Sequence, residues 1–572
     1  MIKRKSENTY IYGVTCLAWA FVIYNMHIGF KSYADEAFFI LGLNPEQNLG
    51  IQHTQFFQIA RFIFKVLQIE PTILHSRIIA FVCMVATLYC FSVASYRWLN
   101  KKGKIENVFY LYLSLVFLFG LPIFLAAYEV SLTFNHLLVL SVTGMLSCYL
   151  LWDVAGRRMQ MKLLYLYLIG FFSFLAVVNY FPSGILISLL ILFLVMIKVK
   201  ESWKNKITFL LLYVLGFVSF AASYNFLIYP LQDALHDIIS NINNPAFGTG
   251  GGYDIFSYIE LMNKYGKNII SIILSGFGVC FFYYLIQKQT CYNKQNLAIA
   301  LFTVILSYLM YEISFFKYNI LLIPVIFSFV FYHLSQPVPI INWRDKKQIV
   351  SIIQGILFLF FPIIALQGTN VSINYKMAYT VFFWAFILAF YLFRIKDQNQ
   401  YKFILYLAVS IILVISTLPY FLHYNRHRGN YHAKYKIENN KQFAHIVLKK
   451  SQIDYFRQVD SLLKVNNFDP QKDRIFAFDY DYATLHYLNV TNYGGLMHNI
   501  DNLYCYKDIF YSHENAPEFI LIAHRDGDDF LKIIKTFKWN FPDECTEYEI
   551  GDPDPEPEAE IRPRSLIVKH RH

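Results

Sequence analysis

Ser76-Arg77-Ile78-Ile79-Ala80-Phe81-Val82-Cys83-Met84-Val85-Ala86-Thr87-Leu88-Tyr89-Cys90-Phe91-Ser92-Val93-Ala94-Ser95-Tyr96-Arg97 is the stretch whose reading decides the fold class. It is apolar over about 20 residues, the length of α-helix that crosses a hydrocarbon core ~30 Å thick. It opens on one arginine and is followed by a basic cluster, Arg97, Lys101, Lys102 and Lys104. An apolar helix with cations gathered beyond one end reads as a membrane span with a basic loop on one side.

Working outward, the same criterion predicts about thirteen spans, at residues 10–30, 76–97, 107–127, 131–152, 163–178, 182–198, 207–229, 269–286, 297–314, 318–334, 349–367, 377–394 and 403–422. Asn179, Tyr180 and Pro182 mark either a tight turn between the fifth and sixth spans or a kink in one long helix. Basic clusters precede span one (Lys3, Arg4, Lys5) and follow span two and span four (Arg157, Arg158, Lys162). They recur after six (Lys198, Lys200, Lys204, Lys206), eight (Lys288, Lys294), ten (Arg344, Lys346, Lys347) and twelve (Arg394, Lys396, Lys402). The alternate loops hold only isolated cations such as Lys31, Lys264, Lys317 and Lys376. This alternation predicts a cytoplasmic amino terminus and, with an odd number of spans, an extracytoplasmic region after about residue 422. The first span has no small-residue cleavage site and is read as a retained helix.

Composition agrees. Of 572 residues, 56% are hydrophobic and only 16% charged, against about 25% charged in soluble domains. A single soluble globule is excluded, and with 55 Phe and 44 Tyr so is disorder. The net charge of +11 lies in the loop clusters, so it reads as a topology code and not as a nucleic-acid footprint.

The spans and loops give residues 1–422 as a transmembrane unit with long outer loops at 31–75 and 230–268, and 423–572 as a small α/β domain on the outer face. The first loop carries a helix over Thr54 to Gln68, with Gln58, Arg61, Lys65 and Gln68 on a polar stripe, predicted to lie along the membrane surface. The second holds Gly248, Gly250, Gly251 and Gly252 around Thr249, like a phosphate loop in composition but without its Gly-Lys-Ser/Thr ending. In the outer domain, Arg474 to Phe478, Phe519 to Ala523 and Leu566 to Lys569 read as strands and Asp528 to Phe537 as a helix. Cys505 and Cys545 are either disulfide-bonded or two free thiols, and no cysteine pair has zinc-site spacing. Asn370-Val371-Ser372 and Asn489-Val490-Thr491 match the glycosylation pattern by spacing alone.

Within the spans the ionisable side chains are few: His27, His136, Glu312 and His333. An ion-coupled transporter normally carries carboxylates near the midplane. Here the charges sit instead at the outer ends of the helices. Asp35-Glu36 follows span one, His53-Thr54-Gln55 leads the surface helix, and Arg77 opens span two. Glu129 follows span three, and Lys317 begins Lys317-Tyr318-Asn319-Ile320-Leu321-Leu322-Ile323-Pro324 at span ten. By itself, each has a structural alternative: an acid at a helix start, or a cation snorkelling to the interface.

Taken together these residues resemble the GT-C glycosyltransferases, and most nearly the protein O-mannosyltransferases and the bacterial lipid A aminoarabinose transferases. The resemblance covers about residues 10–422. It departs where the usual His-Pro-Pro reads His53-Thr54-Gln55, and where Asn179-Tyr180-Phe181 replaces a basic residue. The resemblance implies a multi-pass protein of the inner (plasma) membrane. Its function would be transfer of a sugar from a polyprenyl-phosphate donor to a lipid, glycan or protein acceptor on the periplasmic face. The donor already has a good leaving group, so the chemistry requires a base for the acceptor proton and cations for the departing phosphate. Asp35 is assigned as base, Glu36 as the residue that orients the acceptor or caps its helix, and Glu129 as a second acid that positions a substrate or binds a divalent cation. Arg77 and Lys317 are the expected phosphate ligands, supported by His53, Arg61 and Lys65. One in-line displacement would invert the anomeric centre. A flippase for lipid-linked saccharide is the alternative, and a membrane scaffold is a third reading.

Overall fold

The computed structural model describes chiefly residues 3–29, 35–47, 54–103, 108–125, 130–156, 158–198, 203–242, 318–334, 346–365, 377–422, 433–477, 481–493, 516–523, 542–551 and 564–570. The first part is helical: α1 Lys3–Asn25, α2 Asp35–Leu43, α3 Phe56–Leu67, α4 Ile73–Gly103, α5 Phe109–Gly120, α6 Pro122–Leu125, α7 Phe134–Val154, α8 Met159–Asn179 and α9 Phe181–Lys198. It continues with α10 Trp203–Leu227, α11 Leu231–Ile242, α12 Leu322–Leu334, α13 Lys346–Ile364, α14 Phe383–Leu392 and α15 Gln398–Leu422. Among the described residues, six helices are long and apolar enough to cross a membrane, and four shorter stretches, Phe109–Leu125, Leu322–Tyr332, Ile353–Ile364 and Phe383–Leu392, are apolar. The eighth and ninth predicted spans and the glycine-rich loop lie outside the described residues.

The interruption at residue 180 is a tight turn between two helices. Tyr180 leaves helical geometry at φ −154 and ψ 88, and Pro182 falls in the first turn of α9, where a missing N–H costs nothing. Two glycines let α8 and α10 approach closely. A Cβ at Gly170 would stand 2.0 Å from the Tyr213 carbonyl oxygen, and one at Gly216 would stand 2.0 Å from that of Tyr167. Small residues at a crossing are the usual means of close helix packing in lipid.

The C-terminal region contains β1 Tyr435–Lys436, β2 Val447–Leu448, α16 Lys450–Val465, β3 Ile475–Ala477, α17 Tyr482–Leu488, β4 Phe519–Ala523, β5 Cys545–Ile550 and β6 Arg564–Lys569. The four-stranded sheet runs β3-β4-β6-β5, parallel between β3 and β4 and antiparallel elsewhere. The three expected strands are present. The helix expected at Asp528 to Phe537 falls mostly outside the described residues. The alternation of polar and apolar residues in β5 hid it from a reading that sought continuous apolar runs, although Glu547 and Tyr548 pair in register with Ile567 and Leu566. Cys545 is a buried free thiol, and Cys505 lies outside the described residues.

This region is not seated on the bundle as a separate lobe. One hydrophobic core joins Phe38, Phe39, Phe56 and Phe57 of α2 and α3 to Tyr482, Val459 and Leu521. Backbone pairing adds to it: Gly29 N donates to the Val447 carbonyl at 2.8 Å and Val447 N to that of His27 at 3.0 Å. Gln47 and Asn492 exchange two further bonds, at 3.3 and 2.7 Å. The amphipathic helix expected along the membrane surface thus buries Phe56, Phe57, Ile59, Ala60 and Phe64 largely in protein.

A candidate active site at the α/β end of the bundle

The end of α1 and the starts of α2, α4 and α7 meet at one end of the bundle, beside the α/β region. Arg97 and Lys101 of α4 and Lys198 of α9 are at the opposite helix ends. The centre of the site is Arg77, in the first turns of α4. Its Nε and Nη2 donate to Glu36 Oε1 and Oε2, both at 2.8 Å. Its Nη1 donates to the Met26 and Ile28 carbonyls at 2.6 and 3.4 Å, and its Nη2 also to that of Gly29 at 2.6 Å. Those carbonyls follow the C-terminus of α1, where a cation complements the helix dipole.

Glu36 receives a third bond, from Ser131 Oγ at 2.5 Å, and both ionic side chains are 0% exposed. The neighbouring residues repeat the tie, because Leu132 N donates to Ser76 Oγ at 3.0 Å. The end of α1, the start of α2, Ser76–Arg77 and Ser131–Leu132 are therefore joined by this buried pair and the bonds beside it. A buried ion pair is tolerated only when its remaining hydrogen-bonding groups are also satisfied, and here all five guanidinium donors have acceptors.

This is where the structure places two of the expected site residues. The Arg77 donors are all engaged inside the protein, by Glu36 and by the Met26, Ile28 and Gly29 carbonyls. The Glu36 carboxylate accepts from Arg77 and from Ser131. Arg61 has a similar anchoring role: Nε donates to the Gly42 carbonyl at 2.9 Å and Nη2 to that of Gln47 at 2.8 Å, at the C-terminus of α2. Burial pushes its pKa down to about 10, which leaves it a cation at neutral pH. Lys65 is exposed. His53, Glu129, Lys317 and the side chain of Asp35 lie outside the described residues, although α2 begins at Asp35.

Ser131 and Ser76 are contributors that the sequence did not single out, and Gln55 was marked only as part of His53-Thr54-Gln55. Gln55 N donates to the Val178 carbonyl at 3.0 Å, and its Oε1 accepts from Tyr224 Oη at 3.0 Å, pinning the start of α3 to α8 and α10. Uncharged residues of this kind carry no motif. The only signal for Ser131 was its place two residues after Glu129. His486 of α17 is 4% exposed. Burial lowers its pKa to about 4, opposed by the nearby Glu36 charge and a hydrogen bond to the Gln442 backbone. Among the described residues there is no group of three or more His, Cys, Asp or Glu able to hold a metal ion.

No family model matches the chain, and no curated protein matches it. Two solved structures are similar to it. The crystal structure of ArnT from Cupriavidus metallidurans bound to undecaprenyl phosphate has 10% identity, covering 98% of this chain and 97% of that one, with a TM-score of 0.42. The apo crystal structure of ArnT from the same organism has 9% identity, covering 99% and 98%, with a TM-score of 0.38.

Proposed function

We propose that this protein is a membrane glycosyltransferase that moves a sugar from a polyprenyl-phosphate donor to an acceptor at the extracytoplasmic face. The observation that carries the reading is the Glu36–Arg77–Ser131 clamp, which holds the first turn of α2 immediately beside Asp35. A catalytic base works only when it is held within hydrogen-bond reach of the proton it removes. A dry, fully satisfied ion pair one residue away is a rigid support for it.

In this mechanism Asp35 takes the proton from the acceptor hydroxyl or amine as its oxygen or nitrogen attacks the anomeric carbon. The bond from that carbon to the phosphate oxygen breaks, polyprenyl phosphate leaves with the electron pair, and the configuration inverts. Lys317 and His53 are assigned to the departing phosphate, with Lys65 in support, and Glu129 to the positioning of a substrate or a divalent cation. Arg77, Glu36 and Arg61 are positioning residues. The inside and outside assignment rests on the basic loops at the far end of the bundle.

The test is transfer from a synthetic polyprenyl-phosphate sugar by the purified protein. Asp35→Asn is expected to lower turnover by about 10²–10⁴-fold, the usual contribution of a general base, with an unchanged melting temperature. Undiminished transfer by Asp35→Asn would remove the base assignment. Passage of intact lipid-linked sugar with no bond cleaved by the wild type would remove the transferase reading.

A further inference from the structure

Residues 26–29, which follow α1, are held along both edges. Met26, Ile28 and Gly29 turn their carbonyls to Arg77. On the other edge stands β2: Val447 N donates to the His27 carbonyl at 3.0 Å, and Gly29 N donates to the Val447 carbonyl at 2.8 Å. Ile28 and Val447 thereby form a parallel bridge, in which the residues on either side of Ile28 present their peptide groups to one partner. Gly29 has φ 58, a left-handed conformation that glycine adopts without steric cost. It serves both edges, with its N–H on β2 and its carbonyl on Arg77.

The α/β region also reaches α2 itself. Tyr482, 1% exposed, stands against Phe38 with ring centroids 6.0 Å apart. The start of α17 is fixed in turn by a second buried ion pair, in which Asp481 accepts from Arg564 of β6 and, at 2.8 Å, from Tyr455 Oη of α16. The Asp481 and Arg564 side chains are 0% and 7% exposed. Connecting segments ordinarily run over the surface and are mobile. This one is fixed from both sides where the chain approaches α2, the helix that begins at Asp35.

We propose that the α/β region is a positioning element of the catalytic site. Strand β2 and helix α17 set the place of residues 26–29 and of α2, and through them that of Asp35. Val447 acts through its backbone and touches no substrate. The effect on catalysis rests on the transferase reading; the backbone coupling does not.

The test uses the full-length protein in nanodiscs, with two readouts: amide hydrogen exchange, and kcat and KM for transfer from a synthetic polyprenyl-phosphate sugar. In the wild type the amides of 26–29 and 445–448 are expected to open in one step, as parts of one cooperative unit. Val447→Pro removes the N–H that the His27 carbonyl accepts. Exchange at 26–29 should rise, and kcat should fall by roughly 10²-fold, the cost of a ~1 Å misplacement of a catalytic group, with the donor KM unchanged. Val447→Ala keeps that N–H and should match the wild type in both readouts. Lys434→Pro removes a backbone bond of the same two-stranded sheet, from Lys434 N to the Leu448 carbonyl, and should also leave both unchanged. Separate opening of the two segments in the wild type would overturn the proposal, and this arm decides even where Val447→Pro does not fold. Exchange at 26–29 indifferent to Val447→Pro, full turnover despite raised exchange, or an equal loss of turnover in Lys434→Pro would each overturn it too. No transfer by the wild type would instead remove the transferase reading, while exchange still decides the coupling.

Discussion

At the α/β end of the bundle the Glu36 and Arg77 side chains are each 0% exposed and every guanidinium donor has an acceptor. At the opposite end Asp153 and Lys198 form a 2.7 Å pair whose side chains remain 9% and 15% exposed, with Trp98 Nε1 donating to the same Asp153 oxygen. Both are ion pairs at helix ends, yet they stabilise different things. The second lies near water, which screens it and lets either partner be solvated if the other is lost. The first has no such recourse, so it fixes geometry at the cost of tolerance. The dry pair lies beside the proposed base and the wetter one among the basic loops, as expected if precision is needed at one end alone.

The largest test of this contrast is Arg77→Met. Removing one partner of a buried pair costs about 3–5 kcal/mol, so the melting temperature of the purified protein should fall sharply. Pairing Arg77→Met with Glu36→Gln should restore a large part of the loss. A fall no greater than that of Asp153→Asn would dissolve the contrast.

Next comes pH. The folded-state pKa of His486 is pushed from its ordinary 6.5 down to about 4. Between those values the unfolded chain binds a proton that the folded state does not. Stability is therefore complete above about 6.5 and falls with pH, by up to about 3 kcal/mol once below both values. A pH series of melting temperatures should show this slope, and His486→Asn should flatten it.

Ser131→Ala removes a hydrogen bond to a buried carboxylate and is expected to cost about 1.5–3 kcal/mol, with a drop in turnover that Ser131→Thr partly rescues. The smallest effect belongs to Asp153→Asn, under about 1 kcal/mol with transfer unchanged, because the asparagine oxygen still accepts from Trp98. A large loss of transfer on Asp153→Asn would show that precision is required at both ends.

Much of this architecture was legible residue by residue. α4 and the helices from α7 to α10 fall where apolar runs of the required length predicted them, the predicted span 107–127 is broken at Leu121 into α5 and α6, and β4 matches its predicted bounds. The turn at Tyr180 was left open because proline permits both a kink and a new helix start, and only its neighbours decide. The candidate site was legible as a set of charges near one surface. The pairing of Arg77 with Glu36 was not legible, because an arginine at a helix start reads the same whether its partner is a ligand or a carboxylate of its own chain. α3 was read as amphipathic, but a hydrophobic stripe does not say whether lipid or protein covers it.

The sequence by itself determined that this is a membrane protein with basic loops at alternate helix ends, because crossing a hydrocarbon core is a local demand on length and polarity. Only the tertiary structure decided which charges are free and which are locked. Glu36 finds Arg77 at a separation of 41 residues and Ser131 at 95, and no local pattern records a partner that distant.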